Sequence, residues 1–161
     1  CKEFTDKVHS FPWQDDFSKA RNQSLSHASK DWILWMDADD VLRVEDQSKI
    51  KNLSNGYKNR YYAFRLHNVN PAIHHRVSAS DMVQGRMFPN HKGIQFEGVI
   101  HEQFTASAIK AGLVAFYVSD IAIEHYGYQD MNEIDEKIRR NDDIWLQQGV
   151  IQKINPGMVF A

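Results

Sequence analysis

Five consecutive large apolar residues, Trp32 to Met36, run straight into Asp37-Ala38-Asp39-Asp40. The run shows no alternation, so it reads as a strand covered on both faces, the usual state of a parallel strand inside an α/β sheet. Upstream, Lys7 to Phe11 is a short strand candidate ended by Pro12. Asp15 and Asp16 then stand where either acid caps a helix with apolar residues at Phe17, Ala20, Leu25 and Ala28. Downstream, Val44 to Leu53 is a weaker helical pattern closed by Asn55-Gly56, and Tyr61 to Leu66 reads as a strand. His67 to Ser80 is polar, holds Pro71 and three histidines, and reads as a loop or irregular hairpin. Gly85 to Asn90 is a short strand and turn, Ile94 to Ile100 an extended piece, and His101 to Ala111 turns helical before Gly112. Leu113 to Ile123 is rich in β-formers, and Met131 to Gln148 is a final helix. Its apolar residues Met131, Ile134, Ile138 and Trp145 form a face that must dock on something.

Composition narrows the class. At 161 residues and 42% hydrophobic content, the chain supports one ordinary domain with a real core. Nineteen basic against 21 acidic residues give a net charge of −2, which leaves no electrostatic footprint for duplex nucleic acid or a strongly anionic membrane. Any phosphate site is therefore local. The single cysteine, Cys1, forms no internal disulfide, and no run has the length of a membrane span or signal-peptide core, so a reducing, cytosolic setting is the default expectation. The chain starts without Met and stops as another segment begins, at Asn155-Pro156-Gly157, which reads as a fragment cut at both ends.

The acidic cluster is the chemical feature. Three acids within four positions repel one another, and crowding them is favourable only if a cation or several donors share the oxygens. Open α/β sheets place ligands at the carboxyl ends of such strands, so a hard divalent ion holding a phosphate fits this junction. The alternative is that Asp40 caps the helix near Val44 and Asp37 merely ends a strand. Among the tryptophans, Trp32 and Trp35 belong to the buried strand and Trp145 to the last helix, leaving Trp13 as a ligand contact. His67, His74 and His75 have no Cys or acid at ligand spacing and read as loop residues.

Several segments in sequence order carry a resemblance. They are Phe11-Pro-Trp-Gln-Asp-Asp-Phe-Ser-Lys-Ala-Arg-Asn22, Asp31-Trp-Ile-Leu-Trp-Met-Asp-Ala-Asp-Asp40, Arg86-Met-Phe-Pro-Asn90, Gly93-Ile-Gln-Phe-Glu-Gly-Val-Ile-His-Glu102 and Ile123-Glu-His-Tyr-Gly-Tyr128. Together they resemble the ordered motifs of family 2 glycosyltransferases, and specifically the bacterial branch whose catalytic domain leads into tetratricopeptide repeats. The family's first strand and Gly/Ser-rich turn, which cradle the nucleotide base, are expected to precede Cys1. The resemblance implies an α/β, Rossmann-like GT-A fold, N-terminally truncated, with a mixed, mostly parallel sheet flanked by helices. Residues 1–130 then form a partial GT-A domain, and 131–161 a C-terminal helix and the start of a linker or following domain.

The implied activity is metal-dependent, inverting transfer of a sugar, of hexosyl type, from a nucleotide-diphospho-sugar to a hydroxyl acceptor. A UDP-sugar is the first choice of donor; the acceptor is a glycan, a lipid-linked group or a protein, in cell-surface glycan or glycoconjugate synthesis. Bond breaking puts charge on the diphosphate, which Mn²⁺ or Mg²⁺ neutralises as a Lewis acid. By the resemblance Asp39 is the metal ligand, Asp37 holds the ribose or the metal through water, and Asp40 binds directly or braces the turn. His125 completes the metal shell or touches the diphosphate, a pairing that favours manganese. Glu102, next to Val99-Ile100-His101, stands where the family places its general base, with Glu97 as competing acid and a solvated helix-first-turn position as the plain alternative. Arg21 and Asn22 on the first helix would meet the nucleotide, though Arg21 can equally snorkel along its helix. Arg86 clamps a diphosphate or pairs with an acid, and His101 orients acceptor or diphosphate or is a surface histidine. The expected location is cytoplasmic, with peripheral association at the inner face of a membrane and no nucleic-acid partner. Two other classes stay open: a non-catalytic nucleotide- or carbohydrate-binding module, and a metal-dependent phosphoryl or nucleotidyl transferase. Against the latter, the chain has no Gly-Lys-Ser/Thr loop and no second acidic strand end.

Overall fold

A computed structural model describes residues 5–69, 81–127 and 130–149. Asp16 rather than Asp15 caps the first helix, α1 (Phe17–Ser26), its side chain accepting the Lys19 amide at 3.0 Å. The hydrogen bonds to Ser18 and the Lys19 amide outweigh burial and hold the Asp16 carboxyl below its ordinary range. Next come β1 (Trp32–Leu34), β2 (Asp40–Leu42) and α2 (Val44–Leu53), the last within the predicted bounds. Then follow β3 (Arg60–Asn68), β4 (Met82–Pro89), the short helix α3 (Thr105–Lys110), β5 (Val114–His125) and α4 (Met131–Gln147). His67 thus extends β3 rather than opening a loop, while His74, His75 and Asn155-Pro156 lie outside the described residues.

The strands form one sheet of order β1-β4-β3-β5-β2. Strand β3 carries the alternation that builds two cores. Tyr62, Phe64 and Leu66 point into one layer with Ile50 of α2, Met87, Val118, Ile121 and Ile123. Tyr61 points into the other with Phe88, Ile94, Phe96, Phe104, Ala108 and Leu113, and Leu25 of α1 closes that side. Phe64 and Ile123 have no exposed surface, and each such side chain stabilises the fold by about 1.5–3 kcal/mol. The apolar run is split between the layers: Trp32, Leu34 and Met36 pack on the first, Ile33 and Trp35 on the second. Coverage of both faces is therefore the reason the run lacks alternation.

Strand direction departs from expectation. Only Trp32–Leu34 of the run pairs, and it runs antiparallel to β4, with Ile33 opposite Phe88. Among the described strands β1 lies at the edge, and three of the four pairings are antiparallel, β3 with β5 being the parallel one. The α/β class and the mixed sheet hold, but the sheet is not mostly parallel. Burial on two faces selects apolar residues without regard to which way the neighbouring strand runs. Lys7 to Phe11 is irregular, and so is Ile94 to Ile100 apart from a single bridge between Glu97 and Gln103. In α4 the buried residues are Ile134 and Ile144, with Met131 38% and Ile138 53% exposed, so the docked face is rotated from the predicted one.

Candidate active site at the acidic turn

Backbone bonds gather the site at one end of the sheet. The chain turns after β1 between Asp37 and Asp40, with the Asp40 amide donating to the Asp37 carbonyl at 3.1 Å. The Asp40 side chain closes the same turn, its Oδ2 accepting the Asp37 amide at 2.8 Å. Strand β2 then starts at Asp40, directly opposite His125 at the carboxyl end of β5, and the Tyr126 amide binds the Asp39 carbonyl at 2.9 Å. Acids distant from His125 in sequence thus become its cross-strand neighbours.

The three carboxylates differ in what they meet. Asp40 has a fully buried side chain that accepts from Arg86 Nη1 at 2.9 Å and from His125 Nδ1 at 2.9 Å. Burial alone would raise its pKa, but the bonds from His125 and the Asp37 amide, with the charge of Arg86, hold it below the ordinary carboxylate value. Asp37 accepts from Arg21 Nη2 at 2.7 Å and lies 3.5 Å from Arg86 Nη1. Asp39 lies 3.6 Å from both His125 Nδ1 and Lys137 Nζ. Asp39, Asp40 and His125 offer one ligand atom each within 4.8 Å of one another. Two carboxylates and an imidazole suit a divalent cation, manganese more than magnesium. Because ionised Asp40 only accepts, His125 donates to it from Nδ1. Gly127 faces this group so closely that a Cβ there would run into Asp39 Oδ2 and come within 2.6 Å of His125 Nε2.

On the other side of Asp37 lies the acid of the Ile-His-Glu segment. Arg21 Nε donates to Glu102 Oε1, and the Glu102 side chain is 9% exposed. A loop closed by paired bonds between Glu97 and Gln103, at 2.9 and 3.0 Å, presents it. Gly98 and His101 take positive φ, 107° and 55°, to make that loop so tight. Glu102 therefore precedes α3 rather than sitting in its first turn, and Glu97 is exposed to solvent. Burial works to lower the pKa of Arg21, but Asp37 and Glu102 outweigh it and raise the value overall. Arg86 goes the other way: burial pulls it down despite Asp40 and Asp37. Both guanidinium groups lie on the Trp35 ring, at 4.3 Å for Arg21 and 3.8 Å for Arg86. Trp35 itself donates from Nε1 to the Gly85 carbonyl at 3.0 Å.

The profile described as glycosyl transferase family 2 matches residues 3–117. The chain belongs to glycosyl transferase family 2. Over 149 residues it is 26% identical to the SPbeta prophage-derived glycosyltransferase SunS of Bacillus subtilis (strain 168), covering 92% of this chain and 34% of that protein. Glycosyltransferase SunS of Bacillus phage SPbeta matches to the same extent. A TPR repeat-containing protein of Synechococcus elongatus is 26% identical over 147 residues, 83% of this chain and 34% of that protein. The chain thus spans 34% of the length of these curated relatives.

Within this family-2 domain the structure brings most of the sequence candidates together and redistributes their tasks. Arg21 joins Asp37 to Glu102 by an ion pair with each, and Asp39 lies beside His125. Asp37 stands outside the group of Asp39, Asp40 and His125 whose ligand atoms lie close together, and within that group Asp40 is already bonded to Arg86, His125 and the Asp37 amide. Arg86, expected to reach a diphosphate, has a 2% exposed side chain and pairs with acids instead. Asn22, expected at the nucleotide, binds the Phe96 carbonyl and amide at 2.9 and 2.8 Å, a clasp that anchors the Glu102 loop to α1. His101 is exposed and meets Trp145 edge-on at 5.7 Å. Trp13 is 47% exposed and donates to Asp15 at 2.7 Å. Sequence reasoning missed Lys137 and Gly127. The signal for Lys137 was its spacing from Ile134 and Ile144, which puts a cation on the inward stripe of α4.

Proposed function

We propose that this domain is a metal-dependent, inverting glycosyltransferase that moves a sugar from a nucleotide-diphospho-sugar, a UDP-sugar first among them, to a hydroxyl acceptor. What carries the reading is an unbroken series of ion pairs and hydrogen bonds through Glu102, Arg21, Asp37, Arg86, Asp40, His125 and Asp39, which joins a candidate base to a candidate metal group. Asp39 and His125 hold the cation, with Asp40 orienting the imidazole. A bound Mn²⁺ or Mg²⁺ supplies Lewis-acid stabilisation of the departing diphosphate. Glu102 accepts the proton of the acceptor hydroxyl, held in position by Arg21. Asp37, 32% exposed and held by Arg21, faces the donor. Among the described residues no helix is long and apolar enough to cross a membrane. A cytoplasmic enzyme working peripherally at a membrane face, on glycan, lipid-linked or protein acceptors, fits this reading, with cell-surface glycoconjugates as the product class.

Titrating the intact protein with Mn²⁺, with and without UDP, and assaying hydrolysis and transfer from UDP-sugars, tests the reading. Glu102→Gln is expected to lower transfer by about 10²–10⁴-fold while leaving Mn²⁺ and UDP binding in place. Transfer that survives in that variant removes Glu102 from the base role. One observation favours a second reading, a non-catalytic sugar-nucleotide-binding module: Arg21 already occupies a Glu102 carboxylate that is only 9% exposed. That reading predicts Mn²⁺-dependent UDP binding with no turnover in the wild-type protein.

A further inference from the structure

Helix α4 starts after the residues that the family profile matches, which end at 117, yet it delivers three side chains around the site. Trp145 packs edge-on against His101, the neighbour of Glu102. The Arg140 guanidinium lies 5.2 Å from the centre of the Phe17 ring at the start of α1. One turn before Arg140 is Lys137, whose Nζ donates to the Gly127 carbonyl at 2.9 Å and stands 3.6 Å from Asp39 Oδ2. Buried Ile134 and Ile144 seat the helix that aims it, and its own side chain is 37% exposed.

The geometry is that of a counter-charge rather than a lock. A charge-assisted bond between ammonium and carboxylate closes to about 2.7–2.9 Å, and at 3.6 Å the lysine neutralises Asp39 without occupying its oxygen. The Gly127 carbonyl holds the ammonium in that position. A divalent ion bound by Asp39 and His125 would sit within a few ångströms of this fixed positive charge and be repelled by it. A donor diphosphate reverses the balance, because it offers the ammonium new anionic oxygens.

We propose that Lys137 is a place-holding cation that couples metal uptake to donor uptake: it opposes a bare divalent ion at Asp39 and His125 and turns to the diphosphate when ion and donor bind together. The inference rests on the metal-dependent reading above and adds to it a positioning residue from a helix outside the profile match. Lys137 sets the order of binding.

Calorimetric titration of the intact protein with Mn²⁺ alone, and then with Mn²⁺ in the presence of UDP, tests it. Lys137→Met is expected to bind Mn²⁺ alone roughly tenfold more tightly than wild type, with the gain from UDP reduced by a similar factor. Lys137→Arg restores wild-type behaviour. General loosening of the fold weakens metal binding, so a gain in affinity reports the charge itself; Lys137→Gln gives the same reading should the Met variant fold poorly. Unchanged or weaker Mn²⁺ binding in the folded Met or Gln variant overturns the proposal. If Asp39→Asn abolishes Mn²⁺ uptake while both Lys137 variants match wild type, only the role of Lys137 falls. If neither wild type nor the Lys137 variants take up Mn²⁺ while UDP still binds, the metal-dependent reading falls and Lys137 with it.

Discussion

Asp40 has no exposed side-chain surface and commits both oxygens to Arg86, His125 and the Asp37 amide, whereas Asp39, one position earlier, is 34% exposed and faces His125 and Lys137 at 3.6 Å. The same residue type thus takes two roles within one turn. Asp40 is the counter-ion of a buried arginine and the brace of the turn; Asp39 keeps a carboxylate toward solvent at the mouth of the site. A site for a charged donor needs both, because the open carboxylate is positioned only as well as the buried one that fixes its backbone.

Breaking the buried half is expected to have the largest effect. Asp40→Ala takes from the buried Arg86 its 2.9 Å partner and leaves only the longer contact to Asp37, and unfolding in urea should show a loss of about 3–5 kcal/mol. Breaking the open half should do the opposite. Asp39→Asn is expected to stay within about 0.5 kcal/mol of wild-type stability. Calorimetry on the same variant should show Mn²⁺ affinity lower by roughly a hundredfold. A variant of Asp39 that unfolds, or a variant of Asp40 that is stable and merely inactive, would erase the distinction. The smallest effect concerns pH. Asp40 has a depressed pKa in the folded state, so its contribution to stability is fully present above the ordinary aspartate value of about 3.9 and is lost as pH falls through the folded value. Thermal unfolding followed from pH 7 downward should therefore show an acid limb that is shallower in Asp40→Asn than in wild type.

Much of the site was legible because its chemistry is written in short stretches. The junction of Trp32–Met36 with three acids marked the end of the sheet where the candidate site lies, and Arg21, Glu102 and His125 were each singled out and lie in one connected group. The division of labour was not legible. Asp37, Asp39 and Asp40 are indistinguishable as letters, and burial by β5 and Arg86 is what separates them. Asn22 and Arg86 carried the right chemistry for a ligand but are consumed by Phe96 and by the acids. In α4 the apolar letters suggested a face through Ile138, whereas the observed stripe runs from Ile134 past Lys137 to Ile144. A single helical face tolerates a lysine inward when a carboxylate waits for it, and that carboxylate is on another element.

The sequence by itself determined the local facts: which segments are helix, where α2 and α4 begin, that Trp32–Met36 is covered on both sides, and that acids, arginine, glutamate and histidine of the right kinds are present. These follow from periodicity, capping and side-chain chemistry, all of which act within a few residues of the chain. Only the tertiary structure decided strand direction, the pairing of Glu102 with Arg21, and the closing of Asp40 on Arg86 and His125. Those outcomes depend on which distant charges are brought into one low-dielectric space, where each must find its partner.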